Sequence, residues 1–179
     1  MHPLIPQAVG VVAIILFFSC YQLKNRKSII LCNVASRLLY IVQYILLGAF
    51  SGAVLDVLGS LSSLLAARSD KGFIKRHRMA ICLSVNVLIV GVGLALAIKS
   101  RNPVDILPIV GVLFHTVAFW AKSERVIRRV SLIGSPFWLA YNFISKAYSS
   151  AFGDLITIGS LIIAMIRYRK RATEDPKEG

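Results

Sequence analysis

The sequence predicts an all-α membrane protein with seven transmembrane helices, and three observations carry that prediction. Residues 79–98 form a stretch of twenty residues without a charged side chain, which at about 1.5 Å rise per residue spans the roughly 30 Å hydrocarbon layer of a bilayer. Of the 179 residues, 56% are hydrophobic, and the mean hydropathy is +0.71. Basic residues cluster in the short segments between apolar stretches, which is typical of multi-pass membrane proteins.

The predicted helices form two groups of three around a linker helix. They cover residues 5–23, 29–48, 50–67, 79–98, 104–121, 130–147 and 151–168. The first three-helix bundle is then residues 1–68, the basic loop and linker helix are 69–100, and the second bundle is 101–168. The remaining residues, 169–179, form a polar tail, which we expect to be disordered in the cytoplasm because it has too few apolar side chains to fold alone.

The distribution of basic side chains predicts the orientation in the membrane. Seventeen Lys and Arg residues fall on one side of the predicted bundle, and three, Lys99, Arg101 and Lys146, fall on the other. The positive-inside rule then places the N-terminus outside and the C-terminus in the cytoplasm, in the cell inner membrane. A six-helix model would put the basic loops on opposite faces. Because the net charge of +13 lies in loops between spans, we expect a lipid bilayer and no nucleic acid as partner.

The two groups of helices align with each other at an offset of 101 residues. Gly10 matches Gly111 and Tyr40 matches Tyr141, and the order of helices and basic loops also repeats. A single linker helix makes both groups start on the same side of the membrane. The sequence therefore predicts a parallel repeat, whose pseudo-two-fold axis lies along the membrane normal.

Three ionisable side chains lie near the middle of predicted spans: Arg37, Asp56 and His115. Such a residue costs about 2.5–3.5 kcal/mol to insert, so it needs a partner or a water-lined cavity. Arg37 and Asp56 are either a structural ion pair between the second and third helices or part of a functional site. His115 is either a hydrogen-bonded packing residue or a proton carrier.

The plan of three, one and three helices resembles that of the SWEET sugar transporters and the wider PQ-loop group. The string WLAYNFISKAYSSAFGDLIT is similar to the stretch that joins the last two helices of a SWEET-type bundle, and Asp154 stands where that family has a site Asn. Asp56 is the nearest counterpart in the first repeat. The acid in place of an amide argues against a sugar as substrate.

That resemblance implies that Trp138 and Asn142 face the bundle interior, where an aromatic ring beside an amide can hold a small polar solute. Ordinary helix packing is the alternative for both residues. Asp154 has an alternative as well, because three residues from the predicted start of its helix it could be an N-terminal acid favoured by the helix dipole. The candidate substrate-binding residues are thus Arg37, Asp56, His115, Trp138, Asn142 and Asp154.

A second resemblance covers residues 6–171. The strings NPVDILPIVG and GDLITIGSLIIAMIRYRKR, with the Gly48-Ala49 step after the second helix, resemble the YgjV family of bacterial inner-membrane proteins. This resemblance implies location and architecture rather than a chemical activity.

The sequence has no nucleophile–base pair, metal-ligand cluster or phosphate-binding loop, so we expect neither an enzyme nor a cofactor or metal site. Cys20, Cys32 and Cys82 show no metal-binding spacing and are expected to be free. We expect a carrier or facilitator for a sugar or another small polar metabolite, working by alternating access between the two bundles. The alternative is a non-transporting membrane protein that acts through partner assembly or lipid contact, and assembly of several copies stays open.

Overall fold

The computed structural model describes the backbone of residues 4–174 and the side chains of residues 5–167, and all regular secondary structure in this part of the chain is helical. It contains eight α-helices: α1 (Leu4–Cys20), α2 (Arg26–Leu47), α3 (Phe50–Ala67), α4 (Gly72–Arg76), α5 (Arg78–Ser100), α6 (Ile106–Trp120), α7 (Glu124–Ile144) and α8 (Tyr148–Glu174). A 3₁₀ turn, Pro103–Asp105, leads into α6. The all-α prediction is confirmed.

Five helical segments of the described chain are long and apolar enough to cross a membrane: Arg26–Leu47, Phe50–Ala67, Arg78–Ser100, Pro103–Trp120 and Tyr148–Arg167. The apolar part of α1, Ile5–Cys20, is shorter. Helix α7 is not in this set, since its first two turns carry four charged side chains. These features are those of a multi-pass membrane protein, whereas seven crossings stay a prediction.

Helix α3 has the predicted bounds, and the ends of α2 have clear local causes. The side-chain oxygen of Asn25 accepts a hydrogen bond from the backbone N–H of Lys27 at 2.9 Å, so α2 begins at Arg26, three residues before the predicted start. At its other end Gly48 adopts a left-handed conformation with φ of 72°, which is the usual glycine stop of a helix.

Other predicted boundaries are wrong by three residues or more. Helix α1 ends at Cys20 rather than residue 23, and α7 covers Glu124–Ile144 rather than residues 130–147. The predicted loop 122–129 is mostly helix, because charged residues can occupy the first turns of a helix that is apolar further on. Helix α8 runs from Tyr148 to Glu174, so residues 169–174 of the predicted disordered tail are helical, and residues 175–179 lie outside the described chain.

The long helices form two groups that close into a ring. Within the groups, α2 packs against α1 and α3, and α7 packs against α6 and α8. Contacts of α3 with α6, and of α1 with α8, join the two groups. Helix α5 lies outside the ring against α3 and α6, and only 11% of its most apolar stretch is buried. Most of its surface is therefore available to lipid.

The ends of the bundle differ in charge. At one end of the bundle, α1, α3 and α6 end and α2, α5 and α7 begin. The lysine- and arginine-rich connections lie there, so we call this side the basic end. The other side is called the opposite end. Small residues on the inner faces of α3 and α8 are buried, among them Gly52, Gly59, Gly153 and Ser160, and such faces let membrane helices approach closely.

Candidate functional site

All six residues singled out from the sequence line one cavity in the centre of the ring. Its lining comprises Phe17, Arg37, Tyr40, Tyr44, Asp56, His115, Trp138, Asn142 and Asp154. Helices of both groups contribute to this wall. The cavity volume is about 20 Å³, which is room for about one water molecule. The structure thus brings the predicted residues together around a small polar space; a substrate-binding role for them stays a prediction.

Arg37 of α2 and Asp56 of α3 form the expected ion pair. Both residues are buried at 3% exposure. The Nε atom of Arg37 donates to Oδ1 of Asp56 at 2.7 Å, and Nη2 lies 2.6 Å from the same oxygen. Nη1 of Arg37 has no hydrogen-bond partner. Gly59 makes room for the guanidinium, because a Cβ there would collide with Nη2.

Asp154 is not a helix-terminal acid, and the alternative based on the helix dipole is wrong. Helix α8 begins at Tyr148, so the carboxylate lies six residues inside the helix and is buried at 6% exposure. Its Oδ2 atom accepts a hydrogen bond from Nδ2 of Asn142 at 2.7 Å. In turn, Oδ1 of Asn142 accepts from the hydroxyl of Tyr44 at 2.8 Å. This chain of bonds joins α2, α7 and α8 across the two groups.

His115 of α6 contributes a hydrogen-bonded imidazole to the cavity wall. Its Nε2 atom lies 3.3 Å from the carbonyl oxygen of Ser131; because a carbonyl only accepts, Nε2 is the protonated nitrogen. The centroid of its ring lies 6.4 Å from the ring centroid of Phe17 and 6.4 Å from that of Phe119. This is the environment of a packing residue, although the side chain also faces the cavity.

Aromatic rings form much of the remaining wall. The Tyr44 and Trp138 rings are nearly parallel, with centroids 6.1 Å apart, and Tyr40 stacks on Tyr44 at 6.4 Å. The Tyr40 hydroxyl is buried without a hydrogen-bond partner. Trp138 packs so closely against Gly111 that a Cβ there would lie 2.6 Å from the indole ring.

The predicted site omits three lining residues, Phe17, Tyr40 and Tyr44. The sequence already places both tyrosines, at spacings of three and seven residues, on the face of α2 that carries Arg37, and that shared face is reason enough to include them. Phe17 has no such signal, since it is one apolar residue among many in α1. Among the described residues no group of three or more His, Cys, Asp or Glu side chains could hold a metal ion.

At the basic end, Arg26 joins the two groups of helices. It is the first residue of α2 and is mostly buried. Its guanidinium donates to the carbonyl oxygens of Ala121 at 2.8 Å, Phe119 at 2.8 Å and Ala66 at 2.9 Å. Carbonyls of a helix's last turn have no partner within the helix, so Arg26 satisfies the ends of α3 and α6 together.

Arg128 makes a related contact in the reverse direction. This residue of α7 is buried at 3% exposure and donates to the carbonyl oxygens of Tyr21 at 3.4 Å and Leu23 at 3.1 Å, just beyond α1. Each group thus contributes one arginine whose guanidinium donates hydrogen bonds to carbonyls at helix ends of the other group. The sequence did not indicate this role, because arginines between apolar stretches were interpreted only as an orientation signal.

At the opposite end, hydrogen bonds also join the groups. The hydroxyl of Tyr141 accepts from the backbone N–H of Gly52 at 3.0 Å. The side chain of Gln43 donates to the hydroxyl of Ser149 at 2.8 Å and accepts from that of Ser150 at 2.6 Å. Tyr141 also lines a surface pocket of about 670 Å³ at this end. The central cavity therefore lies between two sets of hydrogen bonds, one at each end of the bundle, that hold the groups together.

Comparison with known proteins places the chain among bacterial membrane proteins. A family model, Imp-YgjV, described as a bacterial inner membrane protein, matches residues 4–172. The inner membrane protein YgjV of Escherichia coli (strain K12) is 26% identical over 161 residues, which cover 88% of this chain and 78% of that protein. No solved structure matches the chain.

Proposed function

The chain belongs to the Imp-YgjV family of bacterial inner membrane proteins, and from that premise we propose that it is a carrier or facilitator for a small polar solute. In this proposal the two groups of helices move against each other and expose the central cavity to one side of the membrane at a time. The protein itself is a multi-pass protein of the inner membrane.

One observation carries the proposal: polar and aromatic side chains from both groups converge on one buried cavity. A membrane protein that needs only to hold its helices together can do so with small and apolar residues. Here an ion pair, a carboxylate, an amide and an imidazole are collected at one place. Two groups on its wall, Nη1 of Arg37 and the hydroxyl of Tyr40, have no hydrogen-bond partner, which leaves them available to a solute.

Reciprocal contacts support a parallel repeat. The ring of Tyr141, in the second group, packs against Gly52 of the first. A Cβ on Gly52 would lie 2.8 Å from that ring. Tyr40 of the first group contacts Gly153 of the second, where a Cβ would lie 3.2 Å from its hydroxyl. Both residues of the second contact are offset by 101 from those of the first. A pseudo-two-fold axis relates contacts in this way, as in carriers built from parallel repeats.

In the proposed cycle, the contacts at the two ends open alternately. The bonds of Arg26 and Arg128 would have to break for the cavity to open at the basic end. The bonds of Tyr141 and Gln43 would have to break at the opposite end. The described conformation, closed at both ends around about 20 Å³, corresponds to an occluded state, and a larger solute requires the groups to separate.

The proposal includes seven spans with the N-terminus outside and the basic end in the cytoplasm. Single cysteines at Lys24, Lys75 and Arg125 should react with an impermeant thiol reagent only from the cytoplasmic side. Cysteines at Lys99 and Lys146 should react only from outside. A cytoplasmic Lys99 position would remove α5 as a span, and the parallel repeat would fail with it.

Flux through the purified protein tests the function itself. Proteoliposomes would be assayed by counterflow with sugars, amino acids and other polar metabolites. We expect saturable flux of at least one class, which Trp138→Ala abolishes while Leu88→Ala, on the exposed face of α5, leaves it unchanged. If no solute of a broad panel moves or binds, the carrier proposal is wrong.

A second candidate function is favoured by the small size of the cavity and by the exposed basic side chains at the basic end, among them Lys24, Lys27 and Lys75. In this alternative the protein is a static membrane protein that binds a partner or anionic lipid headgroups, which attract each basic residue near the surface by about 1 kcal/mol. It predicts stronger binding to vesicles rich in anionic lipid, no flux, and no change of accessibility at the cavity.

A further inference from the structure

The charged groups around the central cavity do not balance. The described residues contain two ion pairs, Arg26 with Asp70 near the surface and Arg37 with Asp56 at the cavity. Asp154 faces the same cavity and forms no ion pair with any described residue. The cavity therefore contains two carboxylates and one guanidinium, and that guanidinium is already bonded to Asp56.

A buried carboxylate within a membrane span needs a source of positive charge or a proton. The amide of Asn142 donates one hydrogen bond to Asp154 but carries no charge. His115 does not supply the charge, because it forms no ion pair with Asp154 among the described residues and its Nε2 atom is directed to the carbonyl of Ser131.

Several aromatic side chains of the wall suit a cation. Tyr40, Tyr44 and Trp138 contribute aromatic rings, whose faces attract ammonium groups. The hydroxyl of Tyr40 is buried and unpartnered, so its oxygen is free to accept a hydrogen bond from a donor in the cavity. A carboxylate, aromatic faces and a free acceptor together form the recognition chemistry of an ammonium ion.

We propose that the central cavity binds a small monovalent cation of the ammonium type, and that Asp154 is its counter-ion. The cation completes the charge balance and donates hydrogen bonds to the Asp154 carboxylate and the Tyr40 hydroxyl. With about 20 Å³ available, the occluded conformation accepts ammonium, whereas methylammonium, one methyl group larger, requires the wall to widen slightly, and tetramethylammonium is excluded. Movement of this cation across the membrane rests on the proposed carrier function, but its binding does not.

Binding is measured on the whole protein in detergent by thermal unfolding and by tryptophan fluorescence, since Trp138 lines the site. Methylammonium chloride is titrated at pH 7 and constant ionic strength against sodium chloride and tetramethylammonium chloride. We expect a saturable rise in unfolding temperature with methylammonium alone. Asp154→Asn should weaken binding about 10- to 100-fold, the range expected for one charged hydrogen bond.

Two further variants make this loss interpretable. Asp70→Asn removes the same charge from an exposed position at the basic end and should leave binding unchanged. Trp138→Phe keeps an aromatic ring but weakens its attraction for cations, and should lower affinity even if Asp154→Asn fails to fold. Equal affinity in the wild type, Asp154→Asn and Trp138→Phe would overturn the proposal.

A proton is the competing source of positive charge, and the pH dependence separates the two. The titratable groups at or beside the cavity come from four helices and from the turn after α1: Tyr21, Arg37, Tyr40, Tyr44, Asp56, His115 and Asp154. If a proton neutralises Asp154, methylammonium gives no saturable shift between pH 5 and 9, and the pH dependence of unfolding disappears in Asp154→Asn but not in His115→Gln. That result would replace the cation with a proton and overturn the proposal.

The test also separates this inference from the proposed function. Asp154-dependent binding of methylammonium without flux of any solute would support the cation site and contradict the carrier. Flux of a neutral solute that is unaffected by Asp154→Asn and by methylammonium would support the carrier and overturn the cation site.

Discussion

The two groups of helices carry a carboxylate at corresponding places but neutralise it differently. Asp56 lies six residues after the start of α3, and Asp154 lies six residues after the start of α8. Both are buried at the same cavity. Asp56 is bonded to a guanidinium, whereas Asp154 is bonded to an amide. The charge of Asp56 is therefore neutralised within the protein, whereas Asp154 is left for the proposed cation to neutralise.

A pair of tyrosines differs in a related way. The Tyr141 hydroxyl accepts a hydrogen bond from the Gly52 N–H, which is one of the N-terminal donors that a helix cannot satisfy by itself. The Tyr40 hydroxyl lies near Gly153 but has no hydrogen-bond partner. The tyrosine of one group of helices thus has a structural role, and that of the other group has an available polar group.

The largest expected effect is the loss of one member of the Arg37–Asp56 pair. Arg37→Leu or Asp56→Leu alone leaves a buried charge without its partner and should lower the free energy of unfolding by about 3–5 kcal/mol. The double variant should recover most of that loss, because apolar residues can replace a buried pair at little net cost. Thermal unfolding in detergent of the wild type and the three variants measures the coupling; additive losses would mean that the two side chains do not interact.

Asp154→Asn should have the opposite effect from Asp56→Asn. Replacing a buried carboxylate that has no counter-ion removes an unfavourable charge and keeps an amide able to bond Asn142, so stability should be unchanged or higher. Asp56→Asn leaves Arg37 without a charged partner and should be destabilising. The same unfolding assay, without added cation, compares the two variants. A loss of similar size in both would contradict the difference between the groups.

The smallest effect is expected at the tyrosines. Tyr141→Phe removes one hydrogen bond and should lower the free energy of unfolding by about 0.5–1.5 kcal/mol. Tyr40→Phe removes a buried hydroxyl that has no partner and should be neutral or slightly stabilising. Denaturant or thermal unfolding of both variants distinguishes them, and a greater loss for Tyr40→Phe would reveal a partner for its hydroxyl.

The sequence predicted the composition of the cavity well for a physical reason. In a membrane span, a polar side chain is expensive wherever it faces lipid, so the few polar residues of the spans had to face inward. Arg37, Asp56 and His115 could be selected on that basis. Trp138, Asn142 and Asp154 were selected through a resemblance, and the structure also brings them to the cavity.

Features that depend on the ends of helices could not be predicted. Helix α8 begins earlier than expected because a tight turn with Lys146 at φ of 59° precedes it, and this turn determines the depth of Asp154. The roles of Arg26 and Arg128 depend on carbonyls of distant helix ends. Hydropathy and charge patterns report which residues prefer lipid, but they contain no information about such long-range contacts.

Accessibility of the cavity is the most direct test of the proposed carrier, since it requires no knowledge of the solute. Tyr40→Cys would be introduced into a background in which Cys20, Cys32 and Cys82 are replaced by alanine, and labelled with an impermeant thiol reagent in right-side-out and in inside-out vesicles. Leu88→Cys, on the exposed face of α5, is the control that lipid should protect from both sides. Alternating access predicts labelling of Tyr40→Cys from each side, whereas no labelling, or labelling from one side alone, would contradict it.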